Sequence, residues 1–164
     1  MQEYLQNANI SARQRYLSTS LVTLSKEFEV KFEAYAKTFS GGLKKMLDMT
    51  NFNNCCNYTE GVLAVWNTNE IGIAFVSNGN GDYRTHFKIE RKEWTKIKIS
   101  QKKHNEVYVY EIEVGKPLYR YSVINKRPEE FINVITYASY PWIDGGLVQI
   151  DVTLRNLEIC SKEM

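Results

Sequence analysis

Histidine, cysteine and proline are scarce in this sequence, and net charge and long apolar runs are scarcer still. The two histidines, His86 and His104, fall in different segments, and Cys55-Cys56 adjacency lacks the two-residue gap usual in zinc sites, so no zinc site is expected. Three cysteines cannot all pair within one chain, which leaves at least one unpaired, intermolecular or otherwise engaged. Proline occurs three times, and no internal repeat, low-complexity tract or linker divides the chain. Lysine and arginine number 21 against 19 acidic residues, a net of +2, which argues against a dedicated nucleic-acid binder. No stretch approaches the roughly 18 apolar residues of a spanning helix, so membrane insertion is not expected. Met1-Gln2-Glu3-Tyr4 has neither the basic start nor the apolar core of a signal peptide; the reading preferred is that Met1 is an expression start on a mature or excised domain.

What is present is the material of one globular domain. A length of 164 residues suffices for a sizeable core, 43% of residues are hydrophobic, and the aromatic share reaches 13%. Past the first two dozen residues the sequence alternates with a period of two, the mark of half-buried strands. Phe28, Val30, Phe32, Ala34 and Ala36 interleave with Glu29, Lys31, Glu33 and Tyr35. Ile71, Ile73 and Phe75 alternate with small residues, and Tyr83, Thr85, Phe87 and Ile89 with Arg84, His86 and Lys88. Gly41-Gly42 and the stretch from Ser77 to Asp82 supply reversals between them. An all-β domain follows, with residues 1–16 poorly ordered, a strand near 17–24, and a single domain over 17–164.

Segments 94–101 and 107–114 predict a hairpin through the five residues 102–106. In that register Ile97 faces Ile112 and Ile99 faces Tyr110, while Lys96 meets Glu113 and Lys98 meets Glu111 on the wet side.

The stretch Phe131-Ile132-Asn133-Val134-Ile135-Thr136-Tyr137-Ala138-Ser139-Tyr140-Pro141-Trp142, then Gly145-Gly146, then Arg155-Asn156-Leu157-Glu158-Ile159 in a last strand, resembles the C-terminal part of laminin G-like and concanavalin A-like jelly-roll domains of animal extracellular proteins. Residues 94–101, Tyr108 to Val114 and Gly115 look like the preceding hairpin of those domains, and Phe28 to Phe32 and Leu43 to Thr50 sit where their early strands fall. The resemblance covers roughly residues 25–160, and its motifs are packing motifs. Tyr140 departs from it, standing where an acidic residue is common before Pro-Trp. The resemblance implies a two-sheet antiparallel jelly-roll sandwich in an extracellular setting. It also implies a last strand near the early loops, where Cys160 would bridge to Cys55 or Cys56, with Cys56 preferred. Two Asn-x-Ser/Thr sequons occur, at Asn9 and Asn57, and Asn57 in its polar turn is the better glycosylation candidate.

Catalysis finds little support. Glu111 and Glu113 have the alternation of paired glycosidase carboxylates but acquire lysine partners in the hairpin, and Glu27, Glu29 and Glu33 read as the solvated side of a strand. No Ser-His-Asp or Cys-His signature occurs, and Gly79-Asn80-Gly81 lacks the lysine and helix of a phosphate loop. Asp48, Asp82 and Asp144 would be the residues of a calcium site, but no spaced acidic loop carries them, and no cofactor is expected. A basic stretch containing Arg84, His86, Lys88, Lys102 and Lys103 is the candidate ligand surface, against the competing account of a solvated face neutralised by acidic neighbours. Trp66, Tyr137, Tyr140 and Trp142 are stacking candidates, and Trp142 joins the ligand surface; the competing and preferred account makes Trp66 and Trp142 plugs of the sandwich ends. The expectation is a non-catalytic extracellular recognition or adhesion module for a glycan, sulfated ones included, or a protein partner. The alternative is a self-assembling structural protein, a homo-oligomer built on strand and aromatic contacts and a spare cysteine.

Overall fold

The computed structural model describes residues 2–6, 10–11, 22–37, 44–51, 62–67, 70–78, 80–115, 118–137 and 152–162. These residues form thirteen strands, numbered in chain order, paired antiparallel into two sheets. One sheet runs β1 (Gln2–Gln6), β13 (Val152–Ser161), β4 (Phe28–Ala36), β9 (Trp94–His104), β10 (Val107–Val114), β11 (Tyr119–Asn125), with β2 (Ile10–Ser11) also on β13 as the seventh strand. The six-stranded sheet runs β3 (Val22–Leu24), β12 (Phe131–Tyr137), β5 (Lys44–Thr50), β6 (Leu63–Asn67), β7 (Ile71–Ser77), β8 (Asn80–Phe87).

Alternation becomes geometry most directly in β4. Phe28, Val30, Phe32, Ala34 and Ala36 are buried while the residues between them are half-exposed, because successive side chains of a strand point to opposite sides. Ile97 and Ile99 of β9, Tyr110 and Ile112 of β10, and Leu154, Leu157 and Ile159 of β13 join them in one core with the inner residues of the other sheet. At its centre Tyr110 stacks on Phe75 of β7, centroids 4.1 Å apart, and meets Phe28 edge-on at 6.0 Å. Each such large side chain taken out of water contributes about 1.5–3 kcal/mol. Complete burial pushes the Tyr110 phenol far above its ordinary range, and its hydroxyl has no hydrogen-bond partner among the described residues.

The β9–β10 hairpin has the predicted faces but a different register. Ile112 pairs with Ile99, Val114 with Ile97, and Glu113 with Lys98, a slide of two residues that keeps every side chain on its side. The turn explains the slide. Asn105 and Glu106 both take positive φ (47° and 68°), as a two-residue turn requires, so β9 continues through His104 and residues 102–104 belong to the ladder. Lys96 thereby faces Glu33 of β4 in register, and Glu111 faces Ser100. Within the start expected to be poorly ordered to residue 16, the described residues form β1 and β2 on β13. Short edge strands that borrow their bonds from a neighbour need no periodicity of their own. Of the strand expected near 17–24, the described residues contain β3.

Polar side chains tie the sheets together at their ends. The buried Asn125 amide donates to Gln101 Oε1 at 2.6 Å and accepts from the backbone N–H of Asn78 at 2.9 Å and of Arg127 at 3.0 Å. Gln101 Nε2 in turn donates to the Lys26 carbonyl at 2.8 Å. Asn78, at φ 54°, turns β7 into β8, so this amide chain joins a hairpin of one sheet to β9 and β11 of the other. Thr85 of β8 and Tyr119 of β11 add a hydroxyl–hydroxyl bond of 2.5 Å.

Candidate functional site

The outer side of the seven-stranded sheet is a lattice of charged and aromatic residues. Its focus is Glu33, on the outward row of β4. Arg155 of β13 reaches it through Nε at 3.0 Å and Nη2 at 3.4 Å, and Asn156 Nδ2 donates to it at 2.5 Å. Two consecutive residues of one strand can serve one carboxylate because β13 is bulged. Arg155 pairs with Glu33 and Glu158 with Lys31, so Asn156 and Leu157 together oppose Phe32. Asn156 takes φ 54°, a conformation that asparagine tolerates better than most residues, and Leu157 drops into the core. The hydrogen bonds from Arg155, then those from Asn156, hold the Glu33 carboxyl below its ordinary range despite partial burial.

Beside this set the Arg155 guanidinium lies 3.8 Å from the Trp94 ring centroid, and Trp94 packs on Tyr35 at 5.4 Å. On the other side a groove of about 480 Å³ opens, lined by Lys31, Lys96 and Lys98, by Glu33, Glu113 and Glu158, and by Asn156 and Leu118. Lys98 pairs with Glu113 at 3.2 Å and Lys31 with Glu158 at 3.6 Å. Leu118 keeps 65% of its surface exposed at the rim. Further along, Glu29 binds Lys31 at 2.8 Å and Lys102 at 2.9 Å; burial acts to raise its pKa, but those two bonds prevail and hold it low.

The basic residues singled out from the sequence do not converge. His86 of β8 and Lys88 just after it are exposed on the six-stranded sheet, and Arg84 pairs with Ala74 there. Lys102 is on the outer side of the opposite sheet, engaged with Glu29, and Lys103 binds Glu106 at 2.8 Å and approaches the Tyr108 ring. Sheets that pack inner side to inner side turn their outer sides away from each other, so the stretch from Arg84 to Lys103 is divided between them. Trp142, Asp144, Cys55, the expected bridge partner Cys56 and the glycosylation candidate Asn57 lie outside the described residues. Cys160 is on β13 opposite Glu29, its Sγ donating to Glu158 Oε1 at 3.3 Å. Asp48 is buried on β5, and among the described residues no three His, Cys, Asp or Glu side chains gather as a metal site would need.

Sequence reasoning passed over the Glu33 set. Glu33 read as one more solvated carboxylate, and Arg155-Asn156 as part of a packing motif. One signal was available: the apolar residues Leu154, Leu157 and Ile159 are spaced by three and then two, which marks the bulge.

No protein-family model and no curated protein sequence matches the chain. Solved structures do resemble it. An alginate lyase from Alteromonas sp. 272 superposes with a TM-score of 0.52 at 8% identity, over 98% of this chain and 79% of its own. A Trypanosoma rangeli sialidase, solved with 2,3-difluorosialic acid, gives 0.56 at 11% identity, and the binding domain of botulinum neurotoxin serotype C1 gives 0.51 at 14%, each over 84% of this chain. The chain spans 21% of that sialidase and 34% of that toxin domain. The protein is an all-β jelly-roll sandwich of two antiparallel sheets.

Proposed function

We propose that this chain is a non-catalytic recognition module of laminin G-like kind, acting outside the cell and binding a glycan on the outer side of its seven-stranded sheet. The observation that carries the reading is the groove next to the Glu33–Arg155–Asn156 set. Sugar hydroxyls both donate and accept, so a groove alternating carboxylates with ammonium and amide donors offers each a partner. Leu118 at the rim supplies apolar surface for a sugar's C–H side. An alginate lyase and a sialidase, both named for work on carbohydrates, share the fold, which supports the reading.

Three lysines and three glutamates line the groove, so it carries no excess of positive charge. Lys31 and Lys98 are paired with Glu158 and Glu113, so a sulfate would compete with a carboxylate for either of them, and a neutral sugar would not. The reading is therefore a neutral glycan in preference to a sulfated one. A Glu33 carboxylate held ionised is available to accept hydrogen bonds from sugar hydroxyls at neutral pH, and is a poor general acid there.

A glycan array, run with and without calcium and followed by titration calorimetry, tests this. The expected result is calcium-independent binding of a neutral oligosaccharide, weakened at least about tenfold by Glu33→Gln or Asn156→Ala. Changing Arg84, Lys88, Lys102 and Lys103 together to Ser should leave that affinity in place. Absence of glycan binding, or binding indifferent to Glu33→Gln, would sink the proposal.

A further inference from the structure

Sheets end in edge strands, and proteins blunt these with brevity, proline, lysine or bulges. At the other edges β1 has five residues and β3 three, and β8 carries a register shift opposite Phe75 and Ser77. β11 has none of these devices. It pairs with β10 at seven consecutive positions without a shift, contains no proline or lysine, and has no strand on its far side among the described residues. Three of the four exposed large aliphatic residues among those described gather on the same margin, the fourth being Ile132 of β12. Ile124 keeps 53% and Val107 40% of their surface, on the outward rows of β11 and β10, with Leu118 at the head of β11.

We propose that β11 is a homodimer interface, pairing antiparallel with β11 of a second copy about a two-fold axis through Ser122. Self-complementarity selects that occupant. With Ser122 on the axis, each Tyr121 faces the second copy's Val123 on the inner side, an aromatic–β-branched pair of the kind that stabilises sheets. Both residues already pack on the core margin half-buried, so the pairing extends the core across the axis. Arg120, the one charge of the strand, falls opposite Ile124 of the second copy, clear of its own symmetry mate, and its charge is already matched by Glu113 at 4.0 Å. Such an interface is isologous and closes at two copies.

The pairing has a functional consequence, which rests on the glycan reading whereas the association itself does not. A two-fold axis normal to a continuous sheet leaves the outer sides of both copies facing the same way. Two grooves then address one surface, and a multivalent glycan is held by both at once, gaining avidity without a new contact.

Sedimentation velocity on the full chain tests the interface. Wild type should sediment as a dimer in the micromolar range. Ser122 is exposed, so Ser122→Lys and Ser122→Glu should keep the wild-type melting profile, yet each places like charges face to face on the axis and should weaken association about tenfold or more. An equimolar mixture of the two variants should dimerise again. A monomeric wild type, variants that dimerise as tightly as wild type, or a mixture that stays monomeric would each overturn the proposal. Per-site affinity for a monovalent oligosaccharide should be the same in Ser122→Lys as in wild type, so loss of glycan binding in both would count against the groove and leave the dimer standing.

Discussion

The two sheets use the same backbone pattern toward different ends. In the seven-stranded sheet the outward rows of β4, β9, β10 and β13 hold charged and polar groups, half-exposed and largely ion-paired. In the six-stranded sheet Met46 to Thr50 and Ile71 to Phe75 are buried without a break, and Ala64 and Ala74 form a small buried cluster apart from the main core. One sheet is wet on one side; the other is buried on both across its middle. A sheet buried on both sides has little to show a ligand, so the recognition surface we propose is on the wet one.

Substitutions at matched positions sharpen this contrast. Phe75→Ala removes the ring stacked on Tyr110 and should cost about 3–5 kcal/mol in a denaturant melt. Ala74→Leu, on the opposite side of the same strand, should cost about 1–3 kcal/mol by overpacking. Lys98→Leu, on the wet side of the other sheet, should change stability by less than about 0.5 kcal/mol. Equal costs for Ala74→Leu and Lys98→Leu would erase the distinction between the sheets.

Acid should act on the wet sheet. Glu33 and Glu29 titrate below the ordinary 4.5 when folded, so the unfolded chain takes up their protons first. Their contribution is complete above that value and lost as pH falls through the folded values. Melting temperature should fall as pH drops through that window, less steeply in Glu33→Gln, and a profile unchanged by that substitution would show that Glu33 is not part of the effect. A gain in place of a loss is expected at the centre of the core. Tyr110→Phe removes a buried hydroxyl that has no partner among the described residues and should leave stability equal or higher by up to about 1 kcal/mol.

The sequence yields the wet sheet more readily than the dry one, for a physical reason. Where water lies on one side, polarity alternates, and β4 and the β9–β10 hairpin are legible from their residues alone. Where both sides are buried the alternation disappears, and Met46 to Thr50 offers no period to read. Register proved less legible than facing, because a slide of two residues keeps every side chain on its own side of the sheet; only Asn105 and Glu106, by taking positive φ, decide it. The site was hidden by distance. Glu33 and Arg155 are joined by a bond across 122 residues of sequence, and local reading has no access to such a pairing.

The extra residue in β13 also sets how the chain tolerates change in length. Upstream of it Leu154 points inward and Arg155 outward; downstream Leu157 and Ile159 point inward while Glu158 and Cys160 point outward. Loss of Asn156 would bring Leu157 directly opposite Phe32 and restore regular alternation, leaving Glu158 and all that follows on their present sides. Substitution or deletion there costs the hydrogen bond to Glu33, and deletion removes the bulge as well. What the extra residue adds is a second donor to Glu33, not the facing of the strand.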